Sequence, residues 1–196
     1  MKKLLFGIFA VCLLLLCTSC SGKTEVIPSS ASVQWKDVTA SAKVVTYQSL
    51  AEMEEKADLI VIGKKTEGDL YVQKSVSGHS YLAYSRFQLG TILKDKLGGA
   101  EKGQEILVLE MDVPDEEEGI RYHVDDYTAM NREDDYILFL TYNPNSYPKY
   151  YTIMGVNTGV CCLGDDYKMK SYGTDTHEDV DAWREEIRQK YLFGAH

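Results

Sequence analysis

Apolar residues fall along this chain in three different rhythms. An unbroken apolar run, Leu4 to Leu16, stands at the start behind Lys2 and Lys3. Short runs rich in β-branched and aromatic residues fill the middle. They are Leu59-Ile60-Val61-Ile62, Tyr81 to Lys94 (YLAYSRFQLGTILK), Glu105 to Asp112 (EILVLEMD), Tyr136 to Tyr142 (YILFLTY), Tyr150 to Val156 and Val160 to Leu163. Runs of this length bounded by Gly, Pro and Asn clusters predict strands, and an all-apolar one such as 59–62 predicts a strand buried on both faces. Within 81–94, Phe87, Leu89, Thr91 and Leu93 fall on one face, and Gly90 marks a bend or bulge.

Helical periodicity occurs twice. Ser49 to Ala57 (SLAEMEEKA) has a Ser followed by Glu52 three residues on, the spacing of a capping box. Near the end, Val180, Trp183, Ile187 and Tyr191 recur at spacings of 3, 4 and 4 and predict one amphipathic helix that packs by its apolar stripe. At least five strands at short spacing, with no long helix between them, predict a mostly β fold: a small antiparallel barrel with a short N-terminal helix and a C-terminal helix. The glycines of Asp95 to Gln104 (DKLGGAEKGQ) form an ordinary hairpin connection, since neither GxGxxG nor a Lys-Ser/Thr ending is present.

The run at 4–16 is 13 residues long, against roughly 20 for a membrane span, and its basic start and small-residue end read as an export signal. Leu16-Cys17-Thr18-Ser19-Cys20-Ser21-Gly22 resembles the lipobox of bacterial lipoproteins, with Cys17 standing where that motif usually carries Leu, Val or Ile. The resemblance implies cleavage before Cys20, lipidation of Cys20 by a thioether and fatty acids such as palmitate, and a place on the extracytoplasmic face of the cell membrane. The chain then divides into a signal peptide (1–19), a lipidated cysteine with a flexible tether (20–45) and one domain (46–196). Ser, Thr, Ala and Lys dominate 21–45, and such a coil spans on the order of 25–30 Å.

Removing Lys2 and Lys3 from 21 basic residues leaves 19 against 30 acidic ones, a net charge of −11. Nucleic-acid binding requires Lys and Arg to neutralise phosphates, so this balance excludes it. After processing, the folded part keeps only the adjacent Cys161 and Cys162. A disulfide between neighbours is strained, so these read as two small apolar side chains on opposite faces of a strand, with a redox or soft-metal pair as the sharper alternative.

Lys56 to Lys64 (KADLIVIGK), Phe87 to Lys96 (FQLGTILKDK), Gly103 to Val108 (GQEILV) and Asp134 to Tyr142 (DDYILFLTY) occur in the order found in many Gram-positive-type extracytoplasmic lipoproteins. The arrangement is similar to OB-like barrels and to the netrin-like barrel of tissue inhibitors of metalloproteinases. The resemblance implies an OB-like topology over about 50–165. It does not carry the inhibitors' mechanism, which uses a free N-terminal cysteine in a disulfide-rich edge.

Motifs for catalysis are missing: the chain has neither G-x-S-x-G nor H-E-x-x-H. His123, flanked by Asp125 and Asp126, is the one histidine placed to act as a hydrolase base. Acidic residues crowd the stretch between the third and fifth strands, among them Asp112, Asp115, Glu118, Asp125 and Asp126. Carboxylates on loops suit calcium, although the EF-hand spacing is absent, and the plainer expectation is a solvated acidic loop. Tyr142, Tyr147, Tyr150 and Tyr151 flank the turn Asn143-Pro144-Asn145-Ser146. Rigid aromatic surface with hydroxyls suits protein, peptide or envelope-polymer partners, and tyrosine also simply covers barrels. The leading expectation is a non-catalytic, lipid-anchored binding module. A calcium-binding domain and a His123 hydrolase are the alternatives.

Overall fold

The structure is a computed structural model that describes residues 35–40, 43–66, 71–74, 81–115, 118–124, 127–164 and 177–194. A compact unit begins at Trp35. Its elements in chain order are β1 (Lys36–Ala40), α1 (Leu50–Lys56), β2 (Leu59–Lys65), β3 (Tyr71–Lys74), β4 (Tyr81–Asp95), β5 (Glu105–Glu110), β6 (Asp112–Asp115), β7 (Ile120–Val124), β8 (Tyr136–Asn143), β9 (Tyr150–Ile153), β10 (Val160–Cys162) and α2 (His177–Arg188). A π-helical turn, Gln189–Phe193, follows α2.

Five strands close the barrel. β2, β4 and β5 form an antiparallel meander, β5 pairs with β9, β9 with β8, and β8 returns to β2. This is the strand order of an OB-like barrel. The expected antiparallel sheet has one exception at the closure, where Val108 and Leu109 of β5 run parallel to Tyr151 and Thr152 of β9. A second, three-stranded sheet of order β1-β7-β6 stands beside it.

The doubly apolar strands explain the layers. Leu59 and Val61 of β2, with Leu138 and Leu140 of β8, point into the barrel and meet Phe87, Leu89, Val108 and Ile153. Their neighbours Ile60, Ile137 and Phe139 point outward, where Leu50 and Met53 of α1 and Ile187 of α2 cover them, with Trp183 and Tyr191 packed alongside. Cys161 lies in the outer layer and Cys162 in the barrel, both as free thiols, so the strand alternation does place them on opposite faces. Burial is the main cause that raises both thiols, Cys162 to about 11, which keeps them protonated at neutral pH. Helix α1 is capped as its sequence requires: the Ser49 hydroxyl accepts from Glu52 N–H, while the Glu52 carboxylate accepts from Gln48 N–H.

Gly90 is a bulge. Ile62 pairs with Thr91 and Gly63 with Leu89, leaving Gly90 as the extra residue, and a second register shift follows between Ile60 and Val61. An added residue reverses the inward–outward parity. Phe87 and Leu89 accordingly face the barrel, whereas Leu93 packs in the helix layer, so the single face expected for 87, 89, 91 and 93 is divided. Gly63 lies opposite, where a Cβ would sit 2.2 Å from the Gln88 carbonyl oxygen and 2.7 Å from the Phe87 ring.

Two parts of the expected organisation differ. The tether expected over 20–45 contains β1, whose Val38 pairs parallel with Tyr122 and whose Lys36 N–H donates to the Gly119 carbonyl. Hydrogen bonds rather than apolar burial hold this strand, which is why its composition reads as linker. The solvated acidic loop is, in its first half, β6: Asp112 and Asp115 are buried and paired in register with His123 and Ile120.

One end of the barrel holds a charged pair. Lys65 and Glu110 are both nearly inaccessible, at 4% and 1%, with Nζ 3.5 Å from Oε1. The Tyr127 hydroxyl and the Met130 N–H donate to the other carboxylate oxygen, and Lys65 also donates to the Met130 carbonyl. Burial outweighs the Lys65 charge and the hydrogen bonds and raises the Glu110 carboxyl above its ordinary value.

Two outcomes follow from these positions. Gly63→Ala forces backbone apart at the bulge and should cost about 1–3 kcal/mol, read as a lower thermal midpoint than wild type. A carboxyl raised in the folded state contributes stability at low pH that is lost as pH rises through its folded titration. Urea midpoints of wild type should therefore fall relative to Glu110→Gln as pH rises above about 4, and a difference independent of pH would contradict that.

Candidate functional site

OB-like barrels present ligands to the outer face of their second and third strands, between the loops that follow strands one and four. Here those strands are β4 and β5, and the second of those loops is the β8–β9 hairpin, residues 144–149. Strand alternation fixes which side chains face outward. Phe87, Ile106 and Val108 point into the barrel, so Tyr84, Arg86, Leu107 and Leu109 lie on the other side. Tyr84 and Leu109 are buried there, while Arg86 is exposed and Leu107 half-buried. Arg86 Nη1 lies 3.8 Å from Glu105 Oε2, and the Thr66 hydroxyl donates to Glu105 at 2.7 Å. An exposed pair of this kind adds little to stability.

The hairpin loop is braced at its base. Asn143 Nδ2 donates to Thr152 Oγ1 at 2.8 Å across the two strands, and the Ser146 hydroxyl donates to the Asn143 carbonyl at 2.8 Å. Tyr147 at the tip is 96% exposed, the most exposed large hydrophobic side chain among the described residues. An aromatic ring left in water on a short, pinned loop offers rigid apolar surface.

The tyrosines flanking the turn are divided by register. Tyr142 sits directly opposite Tyr151, with ring centroids 4.9 Å apart, and Tyr151 packs on the barrel core. Asn143 sits opposite Tyr150, so Tyr150 points to the other side, where its ring lies 5.0 Å from that of Tyr84. Tyr142 and Tyr151 therefore share the barrel side of the two strands, whereas Tyr150 joins the outer face of β4 and β5. Arg86, Leu107 and Tyr84 were not among the expected site residues. The signal for them was present in the alternation of 83–88 against 105–110.

His123 stands in a separate buried cluster. Its Nε2 is 3.0 Å from Asp37 Oδ1 and its Nδ1 is 3.1 Å from the Tyr127 carbonyl, with Asp112 Oδ1 at 3.6 Å. Asp112 in turn accepts from Arg121 Nε at 2.6 Å and from Ala129 N–H at 3.0 Å. Both ring nitrogens of His123 are thus occupied and the side chain is 2% exposed. A general base needs a nitrogen within reach of a substrate proton, and this geometry instead clasps β1 to β7.

Among the acidic residues, Asp115 accepts from Glu118 N–H at 3.3 Å, and Glu118 itself is exposed. Asp125, Asp126 and Cys20 lie outside the described residues. Among the described residues, no group of three His, Cys, Asp or Glu side chains converges as a cation would require.

No family model, no curated protein and no solved structure matches this chain.

Proposed function

We propose that this chain is a lipid-anchored, extracytoplasmic binding module that engages a protein, peptide or envelope polymer without catalysing a reaction. The observation that carries this reading is the exposed Tyr147 ring on a braced loop beside an OB-like outer face bearing Arg86, Leu107 and Tyr150. Aromatic and arginine side chains contribute most to recognition when they are rigidly presented, and both kinds are present here. The acidic balance of the chain directs the face toward neutral or basic partners.

Anchoring rests on the sequence. Lys2-Lys3, the 4–16 run and the Cys17-Thr18-Ser19-Cys20 ending fit a lipoprotein signal, and no helix among the described residues is long and apolar enough to cross a membrane. At least two chains on Cys20 hold a protein stably at a bilayer.

Two experiments test the two halves. Growth with radiolabelled palmitate should label wild type and leave Cys20→Ser unlabelled; a labelled Cys20→Ser protein would remove the anchor. In pull-downs from envelope extracts, Tyr147→Ala and Arg86→Ala should each weaken partner capture at least about tenfold. Full capture by both variants would dismiss this face.

A further inference from the structure

Residues 43–47 cross the outside of β8 and β9 as an irregular strap between β1 and α1. Two side chains anchor it. Val44 packs against the barrel core, and Tyr47 packs in the helix layer, with Lys56 Nζ 5.6 Å from its ring centroid. Gly155 lies below Tyr47, its would-be Cβ 3.4 Å from that ring. Among the described residues, no backbone hydrogen bond joins 43–46 to the barrel. Backbone N–H and C=O groups require partners, so this strap leaves donors and acceptors to water or to a bound molecule.

Under the strap lies a cavity of about 320 Å³. That volume stands at the lower end of the range for small-molecule sites. Its walls separate by chemistry. Met111, Val124 and Val156 supply an apolar side, and Thr141, Asn143 and Thr152 a polar one. Lys43 is the one charged side chain among the described residues that line it. Val156 holds φ +55°, a left-handed backbone that a β-branched residue adopts only under strain. Such strain persists where surrounding structure enforces it, commonly at ligand sites.

We propose that this cavity binds a small monocarboxylic acid with an apolar body, a site separate from the Tyr147 face. The carboxylate pairs with Lys43 and accepts from strap N–H groups, while the body lies on Met111, Val124 and Val156. A single cation beside an apolar wall selects an acid over its neutral analogue, because a charge-assisted bond is about twice as strong as a neutral one. Thr141, Asn143 and Thr152 serve a second polar group on the ligand.

The test uses 3-phenylpropionate and its neutral amide as probes. Each is dialysed to equilibrium against the full-length protein in phosphatidylcholine vesicles, with protein-free vesicles as the blank. Wild type should retain the acid about tenfold more strongly than the amide. Lys43→Met should bring the acid down to the amide's level, and Thr141→Trp should fill the cavity and abolish retention of both. Lys43 and Thr141 are exposed, so neither variant disturbs the core. Retention of the acid equal in wild type and Lys43→Met, or no retention above the blank, would overturn the proposal.

Discussion

Strands β2 and β8 are apolar on both faces, and a sheet that faces water on either side cannot satisfy them. Closure into a barrel buries one face, with Leu59, Val61, Leu138 and Leu140 turned inward. The helices bury the other, over Ile60, Ile137 and Phe139. Each such side chain removed from water contributes roughly 1.5–3 kcal/mol, so the two strands need both partners at once. The positions of α1 and α2 follow from that requirement. Arg86 of β4 and Leu107 of β5 lie outside that helix-covered layer and remain partly accessible.

Polar groups inside the molecule organise what the apolar ones leave loose. Lys65, Glu110, Tyr127 and Met130 tie the 127–130 segment to the barrel end. Asp112, Arg121, His123 and Asp37 tie the second sheet together and bring in β1. Buried ionic groups contribute little net stability, since desolvation offsets their attraction, but they admit few alternative partners. Here they fix which segment covers which end.

Elements carried by apolar pattern or by capping were legible in the sequence. The Ser49–Glu52 cap, the doubly buried 59–62 run, the bulge at Gly90 and the opposed Cys161 and Cys162 appear as their residues imply, as do Trp183, Ile187 and Tyr191 of the stripe expected to begin at Val180. Elements held by polar contacts were not. Strand β1 has a linker's composition, and β6 has an acidic loop's composition, because Asp37 and Asp112 find their partners only in the folded chain. Parity was the other obstacle. One extra residue at Gly90 moved Leu93 to the opposite layer, and the pairing of Tyr142 with Tyr151 sent Tyr150 away from both. The outer-face residues Arg86 and Leu107 are opposite each other only once the β4–β5 register is known.

Closure also determines how the molecule meets copies of itself. Among the described residues, barrel formation leaves short free strands: β10 has three residues, β3 and β6 four each, and β1 five. The rim of the second sheet is further blunted, because Pro114 in β6 lacks an N–H and β1 opens with the charged Lys36 and Asp37. Brief, interrupted and charged rims are poor templates for strand addition from another chain.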